Sequence, residues 1–466
     1  MASQLETLNI SLAIMEFVTQ WQMQQRQIDA RLLLLRRRRR RVACQLKTMI
    51  EKMYPPPPTD EEVEEAETSS PQESSKRKYK KRATKKKQVT PESIDGINPK
   101  PRAWTLTKEN HWFENDVPQF TDLEFLEHFH VSRKTFKLIC DHLQSDLTKA
   151  HTNMRQAISV EKRVAVSLYM LGKSKACTYR NIADLFSMGK STIGGTLYDF
   201  TKAVCKRLLP LIRFPSEESM SDIGKGFNSA VGFPDCIGAL NFIHIPLFTP
   251  LGSSLPTDYL NENGWYSMIL MCVTDHQNRF TYVKSGFPGK LDNLGIFKES
   301  SLNQLATDGK IVPESQDVHL VADVDMPLQN WLLTPFVDDG SLNEVQRLYN
   351  KRLHSVLDFS QTAMEKLKGR WGFLLNKCNK KLDRAANIFI TCCILHNICE
   401  EHGDGFLDSW MNEVRLADAA APQQPIGVPF ADDCSTDALV KRNEVAYNLQ
   451  TLGIVDMNIE MEMNQP

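Results

Sequence analysis

The sequence predicts an α/β domain, a mixed sheet with flanking helices, preceded by an all-helical segment and by a basic region without fixed structure. Three observations carry this. Apolar residues recur at helical spacing from Trp104 to Pro215. Beyond Phe214-Pro215 the pattern changes to short apolar runs bounded by turn residues, alternating with helical stretches. Residues 55 to 99 combine low hydrophobicity with dense charge, so they cannot bury enough surface to offset the entropy of ordering.

A chain of 466 residues implies two or three domains plus linkers. Core material is adequate, at 41% hydrophobic with 22 Phe and 7 Trp. The net charge of -1 hides segregation, with basic runs near the N-terminus and acids in the last quarter, a pattern of interaction tails. Glu6 and Glu16 interrupt the first stretch, which therefore lacks the form of a secretory signal. No window reaches the roughly 18–20 apolar residues that span a bilayer, so no membrane partner is expected. The 11 cysteines are scattered in apolar company, as in "FKLICDHL", and are expected to be reduced, buried thiols of an intracellular protein. Cys392, His396 and Cys399 share one helical face, but the same face carries the apolar stripe and a fourth zinc ligand is missing. Core packing is the expected role.

Residues 1–54 contain neither Gly nor Pro and place Leu5, Leu8, Leu12, Met15, Val18 and Trp21 at helical spacing, which predicts a long helix able to pair with a partner or with itself. Arg36 to Arg41 continue it as a solvated basic segment. The linker 55–103 carries two basic clusters, Lys76, Arg77, Lys78, Lys80, Lys81, Arg82 and then Lys85, Lys86, Lys87, which suit nuclear import or a phosphate-binding arm. Residence in the nucleus follows as the expectation.

Residues 104–215 read as a helical domain. Within "TYRNIADLFSMGKSTIGGTLYDF" a helix-turn-helix template fits: Ala183 is small where two helices meet, Met188-Gly189 supply a turn, and Ser191-Thr192 cap a second helix with Ile193 and Leu197 inward. That helix would face a DNA groove, with Arg180, Lys190, Ser191, Thr192 and Lys202 as DNA-binding candidates and Arg102, Lys162 and Arg163 as further phosphate contacts. Gly194-Gly195 weakens the helix, and its face offers few side chains for reading bases. "SMGKST" is not a phosphate-binding P-loop, which needs Gly where Asp184 stands.

In residues 216–412, "CIGALNFIHIP" and "GWYSMILMCVTDHQNRFTYVKSGFPG" read as three strands with a turn at Asp275 to Asn278, followed by a helix start in "GKLDNLGIF", a buried strand in "DVHLVADVD" and a helix in "FSQTAMEKLKGRWGFL". This order suits a ribonuclease-H-like nuclease-type sheet, in which acids on two adjacent strands and a facing helix hold two metal ions for phosphodiester chemistry. Residues 413–466 form an acidic C-terminal region with a peripheral helix capped by Ser435 or Thr436.

Several motifs carry a resemblance. "FHVSRKTF", "RVAVSLYMLG", "YRNIADLFSMGKST", "GALNFIHI", "GFPGKLDNLGIF", "ADVDMPL", "YNKRLHSVLDFSQTAMEKLKGRW" and "ILHNI" resemble, in order from Phe125 to Glu401, the motifs of PIF/Harbinger-type transposases and their domesticated, DDE superfamily endonuclease-like relatives. The resemblance implies a Mg²⁺-dependent ancestor whose metal ligands are acids. Here the first-strand acid is Asn241, the His-Asp of the following loop is Asp292-Asn293, and the helix Glu falls on Gln361. Lys368 is kept, while an Arg four residues before the Glu position is Leu357. Asp323 alone survives as a candidate metal ligand, with Asp325 and Asp292 the only nearby acids able to compensate.

Amides keep shape and hydrogen bonding but remove the charge that attracts a hard divalent cation. The expectation is therefore a nuclear, transposase-derived pseudoenzyme with no catalytic residues and no cofactor, which binds DNA or chromatin proteins. A residual metal-dependent nuclease using Asp323, Asp325 and Asp292, or a protein-interaction adaptor acting through the first helix, are the alternatives.

Overall fold

The computed structural model describes residues 111–463 except 152–155, 174–177, 254, 313–316 and 424–433. The N-terminal helix, both basic clusters and Arg102 lie outside the described residues.

The described residues begin with six α-helices: α1 (Trp112–Asn115), α2 (Asp122–Phe129), α3 (Arg133–Leu147), α4 (Val160–Gly172), α5 (Tyr179–Leu185) and α6 (Lys190–Leu208). Their starts follow from local chemistry. Thr121 and Glu124 close a capping box on α2, and the hydroxyls of Ser132, Ser159 and Thr178 accept from the third amide of α3, α4 and α5. The start of α6 differs from the sequence expectation. Gly189 is its N-cap, with no side-chain bond, and Ser191 and Thr192 lie inside the first turn. The turn before it is closed instead by backbone, Met188 N–H to Ala183 O at 2.8 Å, with Ser187 at φ 51°.

Helix α7 (Glu217–Val231) leads into strand β1 (Cys236–Pro246), followed by β2 (Ser267–Thr274), β3 (Phe280–Pro288), helices α8 (Asn293–Lys298) and α9 (Ser301–Thr307), β4 (His319–Val321) and β5 (Leu332–Leu333). The sheet order is β3-β2-β1-β4-β5, with β1, β2 and β3 antiparallel and β1, β4 and β5 parallel. It is the mixed sheet expected, although the strand read from "DVHLVADVD" shrinks to three residues because the chain turns at Val324 and Asp325. Gly238 is required where β1 is squeezed: a Cβ there would sit 2.6 Å from Val273 Cγ1.

One face of the sheet is covered by α10 (Glu344–Arg370), far longer than the expected piece, opened by a capping box between Asn343 and Gln346. Its apolar row, Tyr349, Leu353, Val356, Ala363, Met364 and Leu367, is fully buried. Helix α11 (Leu382–His402) packs on β3 and on α6 at once. One core therefore runs from Phe129 and Val164 in the helical segment through Cys392 to Ile243 and Met268 in the sheet. The chain ends with α12 (Asp408–Ala420), a single helix across residue 412, and α13 (Thr436–Met463). The latter is not peripheral. Ser435 Oγ accepts from Ala438 N–H at 3.2 Å, and Ala438, Val445, Ala446 and Leu449 are buried beside α10 because their spacing gives α13 an apolar face of its own.

Candidate functional site

Two metal positions of the resembled motifs, Asn241 and Asp323, lie close together where β4 ends. Ala239 of β1 pairs with Val321 of β4 in the parallel register. Asn241 and Asp323 each lie two residues beyond that pair, so they leave adjacent parallel strands side by side. Side-chain alternation carries both toward the face that holds Ala239 and Val321 in the core under α10. Cys272, opposite Asn241 across β2, contacts Met364 of α10 at 3.9 Å, which sets the middle of α10 over this point.

The chemistry at each position is local. Asn241 Oδ1 accepts from Phe242 N–H at 2.7 Å. Asp323 Oδ1 accepts from Val324 N–H, also at 2.7 Å. Asn293, the first residue of α8, donates from Nδ2 to Asp325 Oδ2 at 3.0 Å. Asp292 is the N-cap of α8 and accepts from Gly295 N–H at 3.3 Å. Gln361 is exposed on α10 and donates to Glu365 Oε1 at 3.0 Å.

This donor set does not fit a pair of divalent ions. Such ions need several anionic oxygens converging on one point. Asn241 and Gln361 offer neutral amides, one already holding a backbone N–H and the other paired along its own helix, and the Asp325 carboxylate accepts an amide. Among the described residues, no three of His, Cys, Asp and Glu stand close enough to share an ion.

The remaining motif residues turn out to build the scaffold. Lys368 lies two turns beyond Gln361 on α10, is buried, and donates to both oxygens of Asp418 on α12, at 2.8 and 2.6 Å. Arg370 is fully buried, donating to His130 O at 2.9 Å and Asp404 O at 3.1 Å, with its guanidinium over Phe406 and Trp410. Gly369 lets α12 approach, since a Cβ would come within 2.9 Å of the Phe406 ring. In "ILHNI", His396 Nε2 lies 2.9 Å from Asn278 O and Asn397 clamps Phe280, so both grip the β2-β3 hairpin. Cys392, His396 and Cys399 are core residues. Burial pushes the Cys399 thiol up to about 12 and His396 down to about 4.

A second feature was only half visible in the sequence. Arg180, Lys190, Ser191 and Lys202 are exposed, whereas Thr192 is half-buried at the head of the inward row Thr196 and Ala203. Lys162 and Arg163 are committed to Glu114 at 2.6 Å and Asp199 at 2.7 Å. The fold brings the "NKCNKKLDR" segment against this surface. The Arg384 guanidinium lies 4.5 Å from the ring centre of Tyr198, and Lys380 lies 4.6 Å from that of Tyr179 and donates to its hydroxyl. Lys380 and Arg384 thus sit on the two tyrosines, Arg180 and Lys202 follow those tyrosines on α5 and α6, and Lys377 and Lys381 are exposed on the same segment as Lys380, with no ion pair to any of these six among the described residues. The sequence signal was present in the run Lys377, Lys380, Lys381, Arg384, but its partner surface is close to 180 residues away.

Residues 242–397 match the family described as DDE superfamily endonuclease, a stretch that begins one residue past Asn241 and includes Asn293, Asp323 and Gln361. The Arabidopsis thaliana protein named ALP1-like is 31% identical over 298 residues, 60% of this chain and 71% of that one. The chain belongs to the Harbinger transposase-derived nuclease family. Among other members of this Harbinger-derived family, the Arabidopsis thaliana protein named antagonist of like heterochromatin protein 1 is 28% identical over 315 residues, 64% of this chain and 78% of that one. The human putative nuclease HARBI1 is 25% identical over 298 residues, 62% of this chain and 80% of that one. No solved structure matches. The family suggests a divalent metal in its parent nucleases.

Proposed function

We propose that this chain is a domesticated Harbinger-derived protein that has lost phosphodiester hydrolysis and binds DNA, in chromatin, through its basic tyrosine-lined face. The observation that carries the first half is the pair of amides, Asn241 and Gln361, at positions where the family chemistry needs carboxylates. An amide cannot supply the charge that binds the metal or stabilises a metal-bound hydroxide. The second half rests on the cations Arg180, Lys202, Lys377, Lys381 and Arg384, which have no ion pair among the described residues and suit phosphate contacts that position DNA without reading its sequence. Tyr198 and Tyr179 add flat surfaces of the kind that stack on bases. A relative named as an antagonist of a heterochromatin protein supports placing this activity in chromatin, and the clusters Lys76 to Arg82 and Lys85 to Lys87 support nuclear import.

Two assays test the reading on the full chain. Supercoiled plasmid incubated with Mg²⁺ or Mn²⁺ is expected to stay intact; nicking that Asp323→Ala abolishes would establish residual nuclease activity instead. Gel-shift affinity is expected to fall with salt, and Lys202→Ala with Arg384→Ala should weaken binding to unrelated sequences equally while reducing the log–log salt slope by about 2, one for each lost phosphate contact. A salt-independent affinity, or an unchanged slope in the double variant, would remove this face from the function.

A further inference from the structure

The edge of β1 that β4 leaves open is covered residue by residue, and the cover next to Asn241 comes from the far end of the chain. Beyond Val321, β4 no longer pairs with β1. The exposed β1 backbone then finds other partners. Phe242 N–H goes to the Asn241 side chain at 2.7 Å. His244 N–H donates to Gln423 Oε1 at 2.9 Å, and Gln423 Nε2 returns a bond to His244 O at 3.2 Å. Pro246 O accepts from Cys378 N–H, and Phe248 N–H donates to Cys378 O, both at 2.9 Å. Gln423 therefore acts as a one-residue strand on the open edge, three residues from Asn241. Such an edge needs cover, because unpaired strand backbone is sticky.

Gln423 is the tip of a longer piece. Its base is anchored: Asp404 accepts from Ser132 N–H at 3.0 Å and Thr135 Oγ1 at 2.9 Å, and Trp410 stacks on His130 at 4.6 Å and packs edge-on against Phe406 at 5.3 Å. The tip is polar and is held by side-chain hydrogen bonds and an ion pair. Asp418 is 32% exposed and sits in the last turn of α12, where an acid opposes the helix dipole. Its compensation is the buried ammonium of Lys368. Asn263 completes the attachment, donating from Nδ2 to Pro422 O at 3.0 Å and Gln423 O at 3.2 Å.

We propose that residues 404–423 are a strap that closes the old nuclease cleft against nucleic acid, with the Asp418 carboxylate occupying on Lys368 the place of a backbone phosphate. Lys368 lies on the Gln361 face of α10, and Gln423 holds the β1 edge at His244, three residues from Asn241, so the piece is attached to both elements that carry the substituted positions. A polyanion that displaces Asp418 gains Lys368 as a further phosphate contact. The inference takes its ligand from the DNA-binding reading above and adds a second, gated surface to the open basic face.

The test is DNA affinity and its salt dependence for the full chain, compared with Asp418→Ala/Gln423→Ala. Opening the strap is expected to raise affinity about 5- to 10-fold at low salt and to steepen the log–log salt slope by about 0.9, the value for one added phosphate contact. Lys368→Met in the opened background should cancel both gains. Should the double variant fold poorly, Asp418→Asn keeps the shape of the tip and removes only its charge, and the same steeper slope is expected. Binding by the wild type with an unchanged slope in all strap variants would overturn the strap while leaving the open face as the DNA site. Absence of binding in wild type and opened variants alike would overturn both, whereas binding that appears only on opening would establish the gate.

Discussion

Asn397 spends its whole side chain on one residue of the neighbouring strand: Oδ1 accepts from Phe280 N–H at 2.8 Å and Nδ2 donates to Phe280 O at 2.7 Å. Both backbone groups are buried, with Phe280 1% exposed, so neither can turn to water. Asn397→Leu should cost about 1–3 kcal/mol for each of the two groups left without a partner, and Asn397→Asp, which turns a buried carboxylate oxygen towards Phe280 O, should cost at least as much near neutral pH. Urea unfolding decides, and a loss below about 1 kcal/mol for Leu would show that the hairpin finds another partner. Gly195 is the opposite case. It is exposed inside α6, and an added Cβ would meet nothing within 4 Å. Gly195→Ala should therefore stabilise the fold by about 0.4–1 kcal/mol through the unfolded chain. A destabilised variant would mean that the position is spoken for in a way the packing does not show.

At the level of elements, β1 and β4 set Asn241 beside Asp323, while Gln361 stands exposed on α10. Asn241→Asp with Gln361→Glu would return, with Asp323, the three carboxylates that the family resemblance assigns to these positions. The variant should be less stable than wild type without metal, because like charges crowd. With Mg²⁺ at ten times a millimolar Kd it should gain about 1.4 kcal/mol, a shift of about 1–3 °C in melting temperature, while wild type stays flat. An equal shift in wild type would show that the amides do not bar the ion, and no shift in the variant would show that these are not the metal positions. That Asn241 and Asp323 lie near each other was readable from sequence, because each sits inside a local motif on a predicted strand, and the register of β1 with β4 sets them side by side. The meaning of Lys368 was not readable: its partner Asp418 belongs to a helix outside every motif. The same holds for Gln423 on His244, a contact across 179 residues. Ser191 and Thr192 were misread as caps because Gly189 takes that role by backbone alone, a conformation that leaves no side-chain signature.

Across the whole molecule, the shared core encloses histidines on three different elements, which makes its stability sensitive to acid. His244 on β1 and His396 on α11 are pushed down to about 4 by burial, and His319 on β4 to about 3, by burial and then by Lys441 beside it. Above the ordinary imidazole value near 6.5 these rings are neutral in both folded and unfolded chains and contribute no pH dependence. Below it the unfolded chain binds protons that the folded chain refuses, so stability falls as pH drops from about 6.5 towards 4. Each ring contributes up to about 1.4 kcal/mol per pH unit, and the three together about 4 kcal/mol per unit where the unfolded imidazoles are fully charged. Urea midpoints measured from pH 7.5 to 5 should therefore bend downward near 6.5. His396→Gln retains a donor for Asn278 O and removes one titrating ring, so it should lower the slope by one proton without flattening it. A midpoint constant from pH 7 to 5.5 would mean that these rings reach solvent, and that the core joining the helical segment to the sheet is looser than its packing indicates.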